Sequence, residues 1–137
     1  MLILRLNILK KQNKNSSFSK IDYVLCDCKN LPFCDNFFNL AIDKGYLDSI
    51  LKSANSPYSS AINSLENLLN KLDSCDNENN NYIIQITDEV PELRIDLFDR
   101  LLVHLVKNKD NIRFKFNYKE IHVNNQSYFV YYLYKLR

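Results

Sequence analysis

One stretch of the chain, from Phe37 to Ile50, constrains the fold more than any other, because it holds the single glycine of a 137-residue sequence. The short apolar run that ends at Asp43 is typical of a buried strand, and helix-compatible residues resume after Gly45. Gly45 therefore occupies a tight turn that requires a positive φ or a close approach of the backbone to another group. Asp43 lies at the carboxyl end of this strand, where ligands bind in open α/β sheets.

The hydrophobic pattern elsewhere predicts an α/β fold in a single domain. Alternating or short apolar runs predict five strands, near residues 22–27, 39–43, 82–87, 112–118 and 127–135. Helical spacing predicts a short helix or a turn over 46–54 and longer helices over 59–73 and 95–106, with residues 88–94 as a polar loop. We expect the last two strands to form an antiparallel hairpin and the other three to be parallel.

The first twenty residues allow two interpretations. They contain Arg5 and four lysines but no acidic residue, which resembles a mitochondrial transit segment. Leu2, Leu6 and Leu9 also suit one face of a short helix with a solvated end, and we favour this interpretation. We therefore expect a cytoplasmic protein, with the mitochondrion as the alternative.

Composition argues against several classes of partner. The net charge of +2 gives no basic field for nucleic acid, and no apolar run approaches the ~18 residues that span a membrane. The cysteines, at positions 26, 28, 34 and 75, lack the paired spacing of structural zinc sites. We therefore expect no metal, no nucleic acid and no membrane partner, and four free thiols in a reducing compartment.

A family resemblance begins at residues 31–33, which read Leu-Pro-Phe, and continues through Asp35 and residues 38–48. This segment resembles the fourth-strand region of class I S-adenosylmethionine-dependent methyltransferases. In the branch with the lysine methyltransferases of elongation factor 1A and citrate synthase, the region reads LPF-x-D-x-x-F-D-x-V-x-D-K-G-T-L-D. This chain has Asn39 where Asp is usual and Tyr46 where Thr is usual, but it retains the more specific D-K-G-x-L-D core.

The resemblance implies an incomplete Rossmann-like class I methyltransferase sheet with a carboxyl-terminal antiparallel hairpin, so that residues 1–137 form one partial domain. The family's strand order is 3-2-1-4-5-7-6, and its first strand leads into a glycine-rich turn that cradles the cofactor. With Gly45 as its one glycine, this chain cannot form that turn. The third and fourth strands would then lie three spacings apart, about 14 Å at ~4.8 Å per strand, with open edges. We expect a truncated gene product whose upstream coding sequence supplies the missing strands.

The resemblance also assigns roles to individual residues. Asp27, at the end of the third strand, would accept a hydrogen bond from the adenine amino group of the cofactor, and the backbone amide of Cys28 would face the adjacent ring nitrogen. Asp43 and Gly45 would border the methyl donor, with Asp43 as the catalytic residue that orients the acceptor amine or accepts a hydrogen bond from the amino group of the cofactor. Arg94 loosely matches an arginine in the loop after the fifth strand. Without the resemblance, an aspartate at a strand end is a turn former or a helix cap.

The function that the resemblance implies is S-adenosylmethionine-dependent methylation of a lysine on a partner protein, although this chain alone is expected to be inactive. The main alternative is a non-catalytic methyltransferase-like fragment or pseudoenzyme that acts as an interaction module, and the absent glycine turn favours it. A third possibility is a different Rossmann-like enzyme that uses a nucleotide or a flavin.

Overall fold

The computed structural model describes residues 2–7, 21–53, 55–73, 82–107 and 113–136. Six strands and three helices lie within these residues. In chain order the elements are β1 (Leu2–Asn7), β2 (Ile21–Cys26), β3 (Leu40–Lys44), α1 (Tyr46–Leu51), α2 (Pro57–Lys71), β4 (Tyr82–Thr87), α3 (Pro91–Lys107), β5 (Arg113–Val123) and β6 (Gln126–Leu136). The fold is therefore mixed α/β, as the hydrophobic pattern predicts.

The larger of two sheets has four strands in the order β3-β4-β6-β5. β3 and β4 are parallel, with Leu40 opposite Tyr82, whereas β6 runs antiparallel to both of its neighbours. The parallel pair and the antiparallel hairpin are both confirmed. Because β3 and β4 are parallel and adjacent, their carboxyl ends meet at one edge of the sheet, which brings Asp43 and Thr87 into the same region.

The hairpin of β5 and β6 has a two-residue turn, Asn124 and Asn125, with φ of 50° and 62°. Asparagine tolerates this left-handed conformation, which matches the twist of the flanking strands. β5 extends to Val123 and is thus longer than the predicted strand, whose first residue, Ile112, lies outside the described residues. The pattern underestimated β5 because its outer half is largely exposed on both faces, leaving no alternation to detect.

The core lies between the three helices and one face of the four-stranded sheet. Helix α2 contributes Leu65 and Leu69, and α3 contributes Leu97 and Phe98; they share one buried cluster with sheet residues Ile83, Phe114, Tyr131 and Leu133. On the opposite face Leu40 and Ile42 are 45% and 60% exposed, and β3 has a partner on one side only in this sheet. Within the described residues, one of the two expected open edges is therefore present, at β3.

The expectation of a helix at the amino terminus is wrong. Residues Leu2–Asn7 form β1, which pairs antiparallel with β2 from Leu2↔Cys26 to Asn7↔Ile21. Three leucines at helical spacing cannot distinguish a helix from a strand in so short a segment, and an isolated helix of that length is marginal in water. Pairing with β2 satisfies the backbone of this segment instead.

Residues near 22–27 do form a strand, but the expectation that it runs parallel in the same sheet as β3 and β4 is wrong. β2 belongs to a separate two-stranded sheet in which its described partner is β1. A strand pattern specifies extended backbone and a buried face, but not the neighbour with which the strand pairs.

The third helix begins earlier than expected, since the predicted polar loop over residues 88–94 ends at Pro91. Proline suits the first turn of a helix because its missing N–H would have no partner there, and its fixed φ is already helical. Glu92 and Arg94 consequently lie in the first turn of α3, and this early start places Arg94 in the protein interior.

Candidate functional site

The carboxylate of Asp43 lies buried at the carboxyl end of β3. Its Oδ1 accepts a hydrogen bond from Tyr46 N at 2.8 Å, and its Oδ2 accepts bonds from Leu47 N at 3.3 Å and Gln85 Nε2 at 3.4 Å. Burial raises the pKa of this carboxyl above its usual value, although the two backbone hydrogen bonds and Arg94 oppose the shift. Asp43 therefore holds the start of α1 onto the strand.

Gly45 makes the turn between Asp43 and α1 possible. Its φ is +86°, which confirms the positive φ predicted from the sequence. A Cβ added at this position would meet no atom within 4 Å, so the turn requires glycine for its backbone conformation and not for close packing.

A second carboxylate, Asp48, lies one turn farther along the chain and pairs with Arg94. Arg94 Nη2 donates a short hydrogen bond to Asp48 Oδ1, and Thr87 Oγ1 donates to the same oxygen at 2.8 Å. Thr87 Oγ1 also accepts from Glu89 N at 3.0 Å, which ties the loop after β4 to this pair. The Arg94 side chain has no exposed surface, so the ion pair is largely removed from water and depends on these hydrogen bonds.

Asp27 differs from Asp43 because it is exposed and lies in a turn immediately after β2. Its Oδ1 accepts a hydrogen bond from Lys29 N at 3.0 Å, and its carbonyl oxygen accepts from Asn30 N at 3.0 Å. These bonds are typical of an aspartate that forms a turn. Its exposure leaves the carboxylate accessible to a ligand.

Cys28 is buried beside Tyr46, whose hydroxyl lies 3.2 Å from Ser64 Oγ on α2. The pKa of the Cys28 thiol is raised to about 11, mainly by burial, with a smaller contribution from the charges of Asp27 and Asp43 and an opposing one from the hydrogen bond with Tyr46. At neutral pH the thiol is therefore protonated and a poor nucleophile. Cys26, Cys28 and Cys34 are all free thiols, whereas Cys75 lies outside the described residues.

The structure thus brings the predicted site residues Asp27, Cys28, Asp43 and Gly45 into one region. Both Asp27 and Asp43 lie within electrostatic range of the Cys28 thiol, and Tyr46 contacts it from the turn that contains Gly45. The turn after β2 is anchored to α2, because Asn67 Oδ1 accepts from Leu31 N and Asn67 Nδ2 donates to the carbonyl of Lys29, each at 3.3 Å. Helix α2 therefore holds both the turn after β2, through Asn67, and Tyr46, through Ser64.

Sequence reasoning assigned no role to Asp48, Gln85 or Thr87, which complete the polar cluster. Gln85 is fully buried, and a polar residue inside the apolar run of β4 was the available signal for it. Asp48 is the last residue of the D-K-G-x-L-D core. The motif therefore drew attention to this segment, but it did not indicate that Asp48 pairs with Arg94. The pairing of Asp48 with Arg94 spans 46 residues, which no local pattern can indicate.

The residues present fit only part of the cofactor that the resemblance implies. The exposed carboxylate of Asp27 suits an adenine amino group, whereas both oxygens of Asp43 already accept hydrogen bonds from the protein. Among the described residues, no group of three or more histidine, cysteine or acidic side chains is placed to hold a metal ion. No helix in the described part of the chain is long and apolar enough to cross a membrane.

No protein-family model matches the sequence, and no curated protein matches it either.

Proposed function

We propose that the chain is the carboxyl-terminal part of a class I S-adenosylmethionine-dependent methyltransferase that acts on a protein lysine. The observation that carries the proposal is the strand order β3-β4-β6-β5, with β6 antiparallel between β4 and β5. This order corresponds to strands 4-5-7-6 of the sheet that the resemblance implies. The D-K-G-x-L-D core supports the same assignment, since it lies at the carboxyl end of β3, where ligands bind in open α/β sheets.

In this proposal the cofactor supplies the methyl group, and the chain supplies positioning. Asp27 binds the adenine amino group, and the Cys28 amide faces the ring nitrogen beside it. Gly45 and Asp43 border the methyl donor, and Asp43 orients the acceptor amine of the lysine. Positioning and the exclusion of water then contribute most of the rate, without a covalent nucleophile.

One observation favours the alternative of a non-catalytic methyltransferase-like fragment that acts as an interaction module. Both oxygens of Asp43 accept hydrogen bonds from α1 or β4, and this arrangement serves the fold without any ligand. Asp27 likewise has a role in its own turn. The alternative therefore assigns a structural role to the same residues.

Calorimetry with S-adenosylmethionine separates the two proposals. We expect this chain to bind the cofactor weakly or not at all, because the sequence has no glycine-rich turn. A chain extended by upstream coding sequence that supplies such a turn should bind the cofactor. In that extended chain, Asp27→Ala should weaken cofactor binding by about 1–3 kcal/mol, because the adenine amino group would lose its hydrogen-bond acceptor in the complex. If no upstream frame encodes a glycine-rich turn, the interaction module becomes the better proposal. An unchanged affinity in the variant would remove Asp27 from the adenine site.

A further inference from the structure

A cavity of about 150 Å³ lies beside the first turn of α3, beyond the carboxyl end of β4. Its lining comes from the end of α1, the start of α2, the loop after β4 and the start of α3, and consists of Leu51, Tyr58, Glu89, Leu93 and Arg94. A cavity of this volume holds a molecule about as large as benzene. The cavity therefore suits a small ligand or the end of a long side chain.

Three of these residues give the cavity a largely apolar wall. Leu51 and Tyr58 are half-buried, whereas Leu93 remains 49% exposed although it belongs to α3. An apolar ligand group that displaces water from such a concave surface gains free energy. The wall therefore favours a ligand with an apolar body.

The positive charges beside the cavity are already paired within the fold. The side chain of Arg94 has no exposed surface and donates to the carboxylate of Asp48. The guanidinium carbon of Arg100 lies 4.7 Å from the centre of the Tyr58 ring, and this arginine pairs with Asp96 at 2.8 Å. Because each arginine has a carboxylate partner, neither adds a net charge to the lining.

Glu89 supplies a negative charge that the fold leaves uncompensated. This half-buried residue lines the cavity, and its side chain makes no hydrogen bond or ion pair with the residues that the structure describes. Its backbone N–H donates to Thr87 Oγ1 at 3.0 Å, which fixes its place in the loop. The exposed Asp88 and Glu92 add negative charge on either side. The lining therefore favours a cation.

We propose that this cavity binds a primary alkylammonium group, which occurs at the end of a lysine side chain and in free aliphatic amines. The ammonium group donates hydrogen bonds to the carboxylate of Glu89, and the alkyl stem packs against the three apolar residues of the wall. Binding of this group is independent of methyl transfer, because it uses neither Asp27 nor Asp43 and requires no cofactor.

The test is a nuclear magnetic resonance titration of the unaltered chain with n-butylammonium, 1-butanol and butyrate. n-Butylammonium reproduces the lysine side chain from Cβ to Nζ, whereas 1-butanol has the same stem without the charge and butyrate carries the opposite charge. We expect n-butylammonium to shift the backbone amide signals of Glu89 and Leu93 saturably, and the other two probes to bind at least about tenfold more weakly. Absence of saturable shifts at these residues, or equal affinity for 1-butanol, overturns the proposal.

A blocked lysine, Nα-acetyl-L-lysine N-methylamide, distinguishes the two sources of the ammonium group. If it binds within about threefold of n-butylammonium, the cavity accepts a lysine side chain that projects from a protein backbone. A larger loss of affinity restricts the site to free amines, because the backbone would then be excluded from the mouth of the cavity.

Glu89→Gln tests the ammonium contact, and Glu92→Gln is the matched control, because Glu92 is exposed in the first turn of α3 and does not line the cavity. The first variant should lose at least about tenfold in affinity for n-butylammonium and bind it no better than 1-butanol. The control should retain the preference for n-butylammonium. If Glu89→Gln also retains this preference, the assignment is wrong, and if it does not fold, the comparison of probes on the unaltered chain decides.

Discussion

Two aspartates at strand ends behave in opposite ways in this protein. Asp27 follows β2 in an exposed turn and accepts one side-chain hydrogen bond, from Lys29 N. Asp43 ends β3 in the interior and accepts three, two of them from the start of α1. The sequence presents both as an acid at the end of an apolar run, so its pattern does not separate them. Burial and the element that follows in the chain therefore determine whether such a carboxylate forms an exposed turn or holds the start of a helix.

The comparison extends from each aspartate to its surroundings. The turn after β3 belongs to a buried network in which Asp48 and Arg94 pair, whereas the turn after β2 contacts α2 through surface bonds such as Lys29 Nζ to Ser60 Oγ at 3.2 Å. Substitutions near β3 should therefore be costly, and those near β2 should be mild.

The largest effect is expected from Arg94→Met. This change removes one partner of the buried ion pair and leaves Asp48 uncompensated, which should lower the free energy of unfolding by about 3–5 kcal/mol. Arg100→Met is the matched control, because Arg100 pairs with Asp96 at 2.8 Å on the exposed side of the same helix and should change stability little. Urea unfolding of the three proteins measures the difference, and equal losses in the two variants would contradict the role given to burial.

A smaller loss is expected from Gly45→Ala. The added methyl group meets no neighbour, so the cost is the left-handed backbone conformation alone, about 1–2 kcal/mol. Gly45→Asn should lose less, because asparagine tolerates that conformation, as Asn124 and Asn125 do in the hairpin turn. Thermal or urea unfolding can rank the two variants. If asparagine costs as much as alanine, the positive φ is not the reason for this glycine.

The pH dependence of stability should report the burial of the Asp43 carboxyl. Because burial raises the pKa of Asp43 in the folded state, the folded protein binds more protons than the unfolded chain between the usual value of 3.8 and the raised value. The contribution of Asp43 to the free energy of unfolding is therefore present at low pH and is lost as the pH rises through the raised pKa. As the pH rises through this range, the free energy of unfolding of Asp43→Asn should therefore increase relative to that of the unaltered protein. Urea unfolding across that pH range measures the difference, and a difference that is constant with pH would contradict the assignment.

The smallest effect is expected from Asp27→Ala. The exposed carboxylate stabilises one turn, so its removal should change the free energy of unfolding by no more than about 0.5 kcal/mol. The same unfolding measurement applies, with Asp43→Ala as the internal comparison. A loss as large as that of Asp43→Ala would show that the turn after β2 belongs to the same buried network as Asp43.

Local patterns were sufficient for much of the fold. The apolar run at Tyr82–Thr87, the helical spacing within Pro57–Lys71 and the alternation after residue 112 each predicted the element that is present. They succeeded because each segment buries one face or both faces against neighbours, which leaves a clear period in the sequence. The positive φ of Gly45 was predictable for a similar reason, since a turn of this kind strongly favours glycine.

Only the tertiary structure decided the rest. Leu2–Asn7 is a strand because β2 offers its backbone a partner, and β2 lies in a separate sheet because pairing is a choice among distant segments. The buried ion pair of Asp48 and Arg94 likewise joins residues that are far apart in the chain, and it exists because α3 begins at Pro91 and turns Arg94 inward. Outside Leu2–Asn7, the sequence by itself largely determined which of the described segments are extended, helical or turned, because those preferences are local. The direction in which each polar side chain points depended on which surfaces the packed elements buried.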